Sequence, residues 1–120
     1  MSEPGTEVEA QLPLPLATFH ILLALADDDR HGYAILQEVA RRTGGELKLS
    51  AGTLYRSIQR MLEDGLIVEQ RERPAPEDDD ERRRYYRITR LGSAVARAEA
   101  ARLNALVRMA RAVGLAPGRA

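Results

Sequence analysis

The stretch Leu49–Ile67, LSAGTLYRSIQRMLEDGLI, constrains the fold more than any other part of the chain. It has the marks of a complete helix. Ser50 is suited to cap the N-terminus, because its hydroxyl oxygen can accept from a first-turn amide that has no partner within the helix. Gly65 stands where a left-handed residue ends a helix. Leu54, Ile58, Met61 and Leu62 recur at helical spacing and line one stripe. At roughly 100° per residue, Thr53, Arg56 and Arg60 fall opposite that stripe, with Gln59 beside them and Tyr55 on the boundary. An apolar back of this kind must be clamped by other elements, so the neighbouring segments have to supply a core behind it.

The outer face carries chemistry that suits base-pair edges. Arginine can bond guanine O6 and N7 together, glutamine can do the same for adenine N6 and N7, and threonine can donate, accept or touch the thymine methyl. Such residues on a short amphipathic helix match the way a recognition helix enters the major groove. The same face also fits an ordinary solvated surface, and the rest of the chain has to decide between the two.

Upstream, residues 1–12 (MSEPGTEVEAQL) are polar and acidic and read as a disordered tail, with Pro13 and Pro15 marking the start of order. LATFHILLALA, 16–26, is long enough for three turns of helix. Leu16, Phe19, Leu22, Leu23 and Ala26 form its expected stripe, Ile21 and Leu25 broaden it, and so apolar a helix must be buried in the core or against a second subunit. His20 within it has no partner spacing for a ligand set. Asp27-Asp28-Asp29-Arg30 reads as a solvated turn, since no calcium-loop spacing follows. HGYAILQEVARRTGG then predicts a second helix, with Tyr33, Leu36, Val39 and Ala40 on its inner stripe and Gly44-Gly45 ending it.

Downstream of Gly65 the apolar period changes from 3.6 to 2. Leu66–Arg71 reads as a strand, RPAPEDDDE (73–81) as an acidic loop rich in proline, and Arg82–Ile88 as the return strand, with Tyr86 and Ile88 sharing a face. A hairpin directly after a helix-turn-helix is a wing. Thr89 is placed to cap a last helix, Arg90 to about Val113. Leu103, Leu106, Ala110 and Val113 repeat along it like the seam of a helix pair, and Ala94, Ala98, Ala101 and Ala105 give a second stripe of small residues. In so small a domain such a helix has little of its own left to pack on, so dimerisation is expected through Leu103, Leu106, Ala110 and Val113, helped by Leu16 and Phe19.

Charge adds direction to this outline. The formal net charge is zero, yet Arg82–Arg111 holds nine arginines against the single acid Glu99. The acids gather at the N-terminus, at Asp27–Asp29 and at Glu77–Glu81, so a neutral total conceals basic surfaces. With no cysteine, disulfides and thiolate metal sites are excluded. Two histidines give neither a catalytic triad nor a zinc set, no phosphate-binding loop motif is present, and no cofactor is expected. The chain has no apolar run long enough to span a bilayer and no secretory signal pattern; a cytoplasmic location is expected.

The fold class is therefore mainly α with a small β-hairpin: a winged helix-turn-helix over 13–88, a dimerisation helix over 89–114 and a frayed tail over 115–120. HGYAIL (31–36), LSAGTLYRSIQRMLEDGLI (49–67) and RRRYYRITRLG (82–92), with the spacing between them, resemble the PadR-like transcriptional regulators, specifically those with one short terminal helix. The resemblance covers about Leu14 to Val113. It implies a homodimeric, DNA-binding regulator, usually a repressor, that acts on a double-stranded operator. It implies recognition-helix contacts from Ser50, Thr53, Tyr55, Arg56, Gln59 and Arg60, a phosphate contact from Tyr33, and wing contacts from Arg82, Arg83 and Arg84. Two departures stand out. Five acids, Glu77–Glu81, occupy the wing tip, where phosphate would repel them. The chain also has no tryptophan, whereas some drug-sensing relatives hold flat ligands between tryptophans. The acidic wing and zero net charge would also suit a winged helix used for protein contact without specific DNA binding.

Overall fold

The computed structural model describes residues 4–70 and 84–117. Their elements run α1 (Pro4–Ala10), α2 (Leu16–Leu25), β1 (Arg30–His31), α3 (Gly32–Arg42), α4 (Ala51–Glu63), β2 (Ile67–Gln70), β3 (Tyr85–Ile88) and α5 (Arg90–Ala112). The helices surround an aliphatic centre built from Ile21, Leu22, Leu25, Ile35, Val39, Leu54, Ile58, Met61, Leu66, Ile67 and Val95. Aromatic residues are scarce, and Tyr86 is the one that joins this buried set.

Helix α4 forms as its sequence demands. The Ser50 hydroxyl accepts from the Thr53 amide at 3.1 Å. At the other end Gly65 has φ of 75°. Its amide donates to Leu62 O, and the Leu66 amide donates to Met61 O at 2.9 Å, which is the Schellman arrangement. Leu54, Ile58 and Met61 are buried behind it.

The strands form a sheet in the order β1-β3-β2, antiparallel throughout. Ile67 faces Ile88 and Gln70 faces Tyr85. Tyr86 and Ile88 share the inner face as their alternation requires: Tyr86 is buried and Ile88 packs on the core. The roots of the wing meet at one knot. The Thr89 amide donates to Leu66 O at 3.0 Å, its hydroxyl donates to Gly65 O at 2.7 Å, and the same oxygen caps α5 by accepting from the Gly92 amide at 2.9 Å. A Cβ on Gly92 would stand 2.1 Å from Leu66 O. Glycine is what lets the first turn of α5 touch the end of the α4–β2 turn.

Four expectations are corrected. Residues 4–10 form helix α1, which contacts α5, instead of a disordered tail. Val8 on the helix and Leu12 just beyond it pack against the core, so a polar segment still carries apolar side chains that dock it. Arg30–His31, read as turn and helix start, adds a third strand beside β3. In α2 Ile21, Leu22 and Leu25 are buried as expected, but Thr18 and Ala24 join them and Leu16 is exposed. That helix is apolar on nearly every side, so periodicity could not choose its face. In α3 the buried face is Gly32, Ile35, Glu38 and Val39, and Tyr33 points out.

The α3 offset has a charge at its root. Glu38 is only 8% exposed, and it bonds Arg41 and Arg42 on its own helix, with Arg30 at 3.9 Å. Arg42 also donates to Leu23 O at 2.9 Å and pairs with Asp27 at 3.0 Å. Arg30 donates to Ala24 O at 2.7 Å. This network fastens α3 and β1 to the end of α2. Hydrogen bonds from Arg41 and then Arg42 hold the Glu38 carboxyl down at about 2. On α5, Glu99 is similarly buried. It accepts from Arg102 at 2.7 and 2.8 Å and from the Leu14 amide at 3.4 Å, and these partners lower its carboxyl below the usual range, Arg102 foremost.

Candidate nucleic-acid interface

The outer face of α4 is free of tertiary cover. Arg56, Gln59 and Arg60 are exposed and Thr53 is half-buried at the helix start. The first turn contains no acid, so the positive end of the helix dipole is left bare. Side-chain bonds run along this face. The Ser50 hydroxyl donates to Thr53 Oγ1 at 3.0 Å, and Arg56 Nη2 lies 3.5 Å from that same oxygen. Gln59 Nε2 reaches Glu63 at 3.4 Å, and Arg60 Nε donates to Asp64 at 3.1 Å. Ser50 is thus engaged in holding the helix start as well as being exposed.

Tyr55 stands 46% exposed at the seam between α4 and α3. Its hydroxyl lies over Gly32, where a Cβ would come within 2.5 Å of it. The next residue, Tyr33, is 63% exposed. It follows the N-cap His31, whose Nδ1 accepts from the Ala34 amide at 3.1 Å. The glycine therefore brings the α4 tyrosine onto the first turn of α3, beside the residue expected to meet phosphate.

A cleft of about 360 Å³ separates α4 from the wing, lined by Tyr55, Ile58, Gln59, Leu62, Glu69, Arg84 and Tyr86. Burial and the nearby Glu69 carboxylate push the Tyr86 hydroxyl up. Arg84 is exposed at the root of the wing, 3.6 Å from Glu69. Arg87, on the outer face of β3, clasps Asp29 with contacts of 3.0–3.3 Å, which ties the wing to the α2–β1 turn. Arg82, Arg83 and the acidic tip Glu77–Glu81 lie outside the described residues.

Several arginines, within the basic stretch 82–111 and outside it, are therefore occupied internally. Arg42 and Arg102 serve buried acids, and Arg87 serves Asp29. Arg56 and Arg60 stay exposed on α4, engaged only with their own helix through Thr53 and Asp64. Asp64 and Glu63, which contact Arg60 and Gln59, were missed in the reading of the sequence. Their signal was there, because acids four residues after Gln59 and Arg60 lie on the same helix face.

The face of α5 that meets the core continues past it. Gly92, Val95 and Glu99 are buried, and beyond them Leu103, Leu106 and the C-cap Val113 are exposed, with Val107 and Met109 at the flanks. Ala110 is half-buried. Of the two helpers expected on α2, Leu16 is exposed and Phe19 packs partly on the core.

Residues 21–98 match the model of the transcriptional regulator PadR-like family. The chain belongs to that family. This PadR-like protein is 39% identical over 74 residues to an uncharacterized protein of Lysinibacillus sphaericus, covering 62% of this chain and 65% of that one. It is 37% identical over 75 residues to a transcriptional regulator of Mycobacterium tuberculosis, covering 62% and 64%. The aligned part thus spans a little under two thirds of each relative. Among solved structures, a PadR-like transcription factor from Bacteroides fragilis superposes with a TM-score of 0.70 at 20% identity, covering 89% of this chain and 98% of that one. A transcriptional regulator from Clostridium thermocellum gives 0.68 at 24% identity, covering 80% and 89%. These structures share the winged-helix fold of the PadR-like chain. The family is one of transcriptional regulators, not of enzymes.

Proposed function

We propose that this PadR-like protein is a homodimeric transcriptional regulator, a repressor, that reads a pseudo-palindromic operator with α4 in the major groove. It would act in the cytoplasm, where its DNA lies. The observation that carries the reading is the outward set Thr53, Arg56, Gln59 and Arg60 on a helix whose back is sealed by the core. Tyr33 and Ser50 sit at the start of α3 and α4 and are suited to backbone phosphates; Tyr55 at the seam extends the contact, and Arg82, Arg83 and Arg84 would follow the backbone from the wing. A second copy covers Leu103, Leu106, Ala110 and Val113 of α5, with Leu16 and Phe19 alongside. Twofold symmetry then sets two recognition helices about 34 Å apart, one turn of DNA.

The test is gel retardation with the duplex upstream of the protein's own gene. A specific shift is expected that weakens steeply with salt, because arginine–phosphate contacts release counterions. The zero net charge and the acidic loop favour a second reading, a winged helix that docks on another protein. That reading predicts no sequence-specific shift at physiological salt.

A further inference from the structure

We propose that Asp64 is a positioning residue that sets base specificity through Arg60. The inference rests on α4 being the recognition helix and goes beyond it. Arg60 Nε donates to Asp64 Oδ2 at 3.1 Å. With Nε engaged, both Nη groups remain free at the far end of the guanidinium. Guanine presents two acceptors side by side, O6 and N7, which is the pattern such an end-on fork matches.

The two partners are unequal. The Arg60 side chain is 76% exposed and that of Asp64 only 24%. Asp64 is the C-cap of α4, and its amide is bonded back to Arg60 O and Leu62 O. Gly65 and the buried Leu66 follow it in the closing turn. The acid is therefore the fixed member and the arginine the one directed. Glu63 repeats the arrangement one position earlier, accepting from Gln59 at 3.4 Å.

Helix electrostatics make these acids informative. Carboxylates are disfavoured at a helix C-terminus, yet α4 has none in its first turn and ends on Glu63 and Asp64. Beside DNA they also repel phosphate. The arrangement gives up affinity for every sequence in return for a fixed direction of the reading side chain. Removing the acid should therefore weaken base discrimination without weakening sequence-independent binding. A residue that merely supported the fold would lower both together.

The experiment is selection from a randomised DNA duplex library with the full chain, as wild type, Arg60→Ala, Asp64→Ala, Asp64→Glu and the double variant R60A/D64A. Base frequencies at each position are read, together with affinity for unselected duplex. The wild type should enrich guanine at a symmetric pair of positions. Arg60→Ala should cut that preference about tenfold and Asp64→Ala by about threefold or more. The double variant should be no worse than Arg60→Ala, Asp64→Glu should recover part of the preference, and Asp64→Ala should bind unselected duplex at least as tightly as wild type. Thermal melts check folding, and Asp64→Asn replaces the alanine variant should it fail to fold. Guanine preference lost in Arg60→Ala but intact in Asp64→Ala overturns the proposal, as does an equal loss of selected and unselected binding in Asp64→Ala. A wild type that enriches no motif overturns the reading of α4 itself, an outcome distinct from the other two.

Discussion

Gly92 offers the sharpest test of how the wing is held to the recognition helix. The substitution Gly92→Ala would place a Cβ 2.1 Å from Leu66 O and 3.0 Å from both Leu66 C and Ile88 Cγ1. The obstructing atom is a backbone carbonyl. It is also the acceptor for the Thr89 amide, so it cannot yield without loosening the knot that joins α4, β2, β3 and α5. Overpacking costs about 1–3 kcal/mol, and a rigid obstacle puts this case near the top of that range. For a domain of this size each kcal/mol moves Tm by about 3–6 °C, so a fall of roughly 9–18 °C is expected. Gly52→Ala is the matched control. There the new Cβ would stand 3.4 Å from the flexible tip of Arg56, in a helix where alanine is favoured over glycine by about 0.5–1 kcal/mol. Tm should therefore stay level or rise. Thermal unfolding followed by circular dichroism reads both. Equal shifts in the two variants, or a Gly92→Ala protein as stable as wild type, would refute the account of the knot.

Other outcomes follow from the same geometry. Arg56→Ala should weaken operator binding by about 1–3 kcal/mol if it reads a base, measured by fluorescence anisotropy, while leaving the melting curve unchanged because the side chain is exposed. Leu106→Glu should leave each chain folded, since Leu106 touches no core in the single chain, but should shift light scattering from dimer to monomer; an unaltered dimer would move the interface off α5. Stability should fall in acid. Glu38 titrates at about 2 in the fold against about 4.3 in an unfolded chain, and the Glu99 carboxyl is lowered too. A depressed carboxyl lends its stabilisation above the unfolded value and loses it as pH drops through the folded one. Urea unfolding should show a decline from about pH 4.3 towards 2, the window between the two values, and Glu38→Gln should reduce it, leaving the part that Glu99 contributes.

How far the sequence could be read depended on how local the determining physics was. The limits of α4 were legible because Ser50 and Gly65 act within a few residues of where they stand. Thr89 announced the start of α5 in the same way, and the switch to alternation exposed β2 and β3. The inner face of α3 was not legible. Glu38 is buried only because Arg30, Arg41 and Arg42 gather round it, and Arg30 comes from another element. The two-residue β1 has no pattern of its own and exists because β3 offers it an edge. Helix α1 was hidden by its acidic composition, although Val8 and the following Leu12 pack on the core. In the site itself, helical geometry alone put Arg56, Gln59 and Arg60 on the exposed face, with Thr53 half-buried at its start. The part played by Gly32 beneath Tyr55 needed the packing of α3 on α4 to be seen.

The central claim is that two copies of α4 meet one duplex. Hydroxyl-radical footprinting of the wild-type protein on a selected duplex tests it most directly. The account predicts two protected patches on one face of the DNA, centred about one helical turn apart and both lost when Thr53, Arg56, Gln59 and Arg60 are replaced together by alanine. A single patch, or protection that survives that replacement, would contradict it.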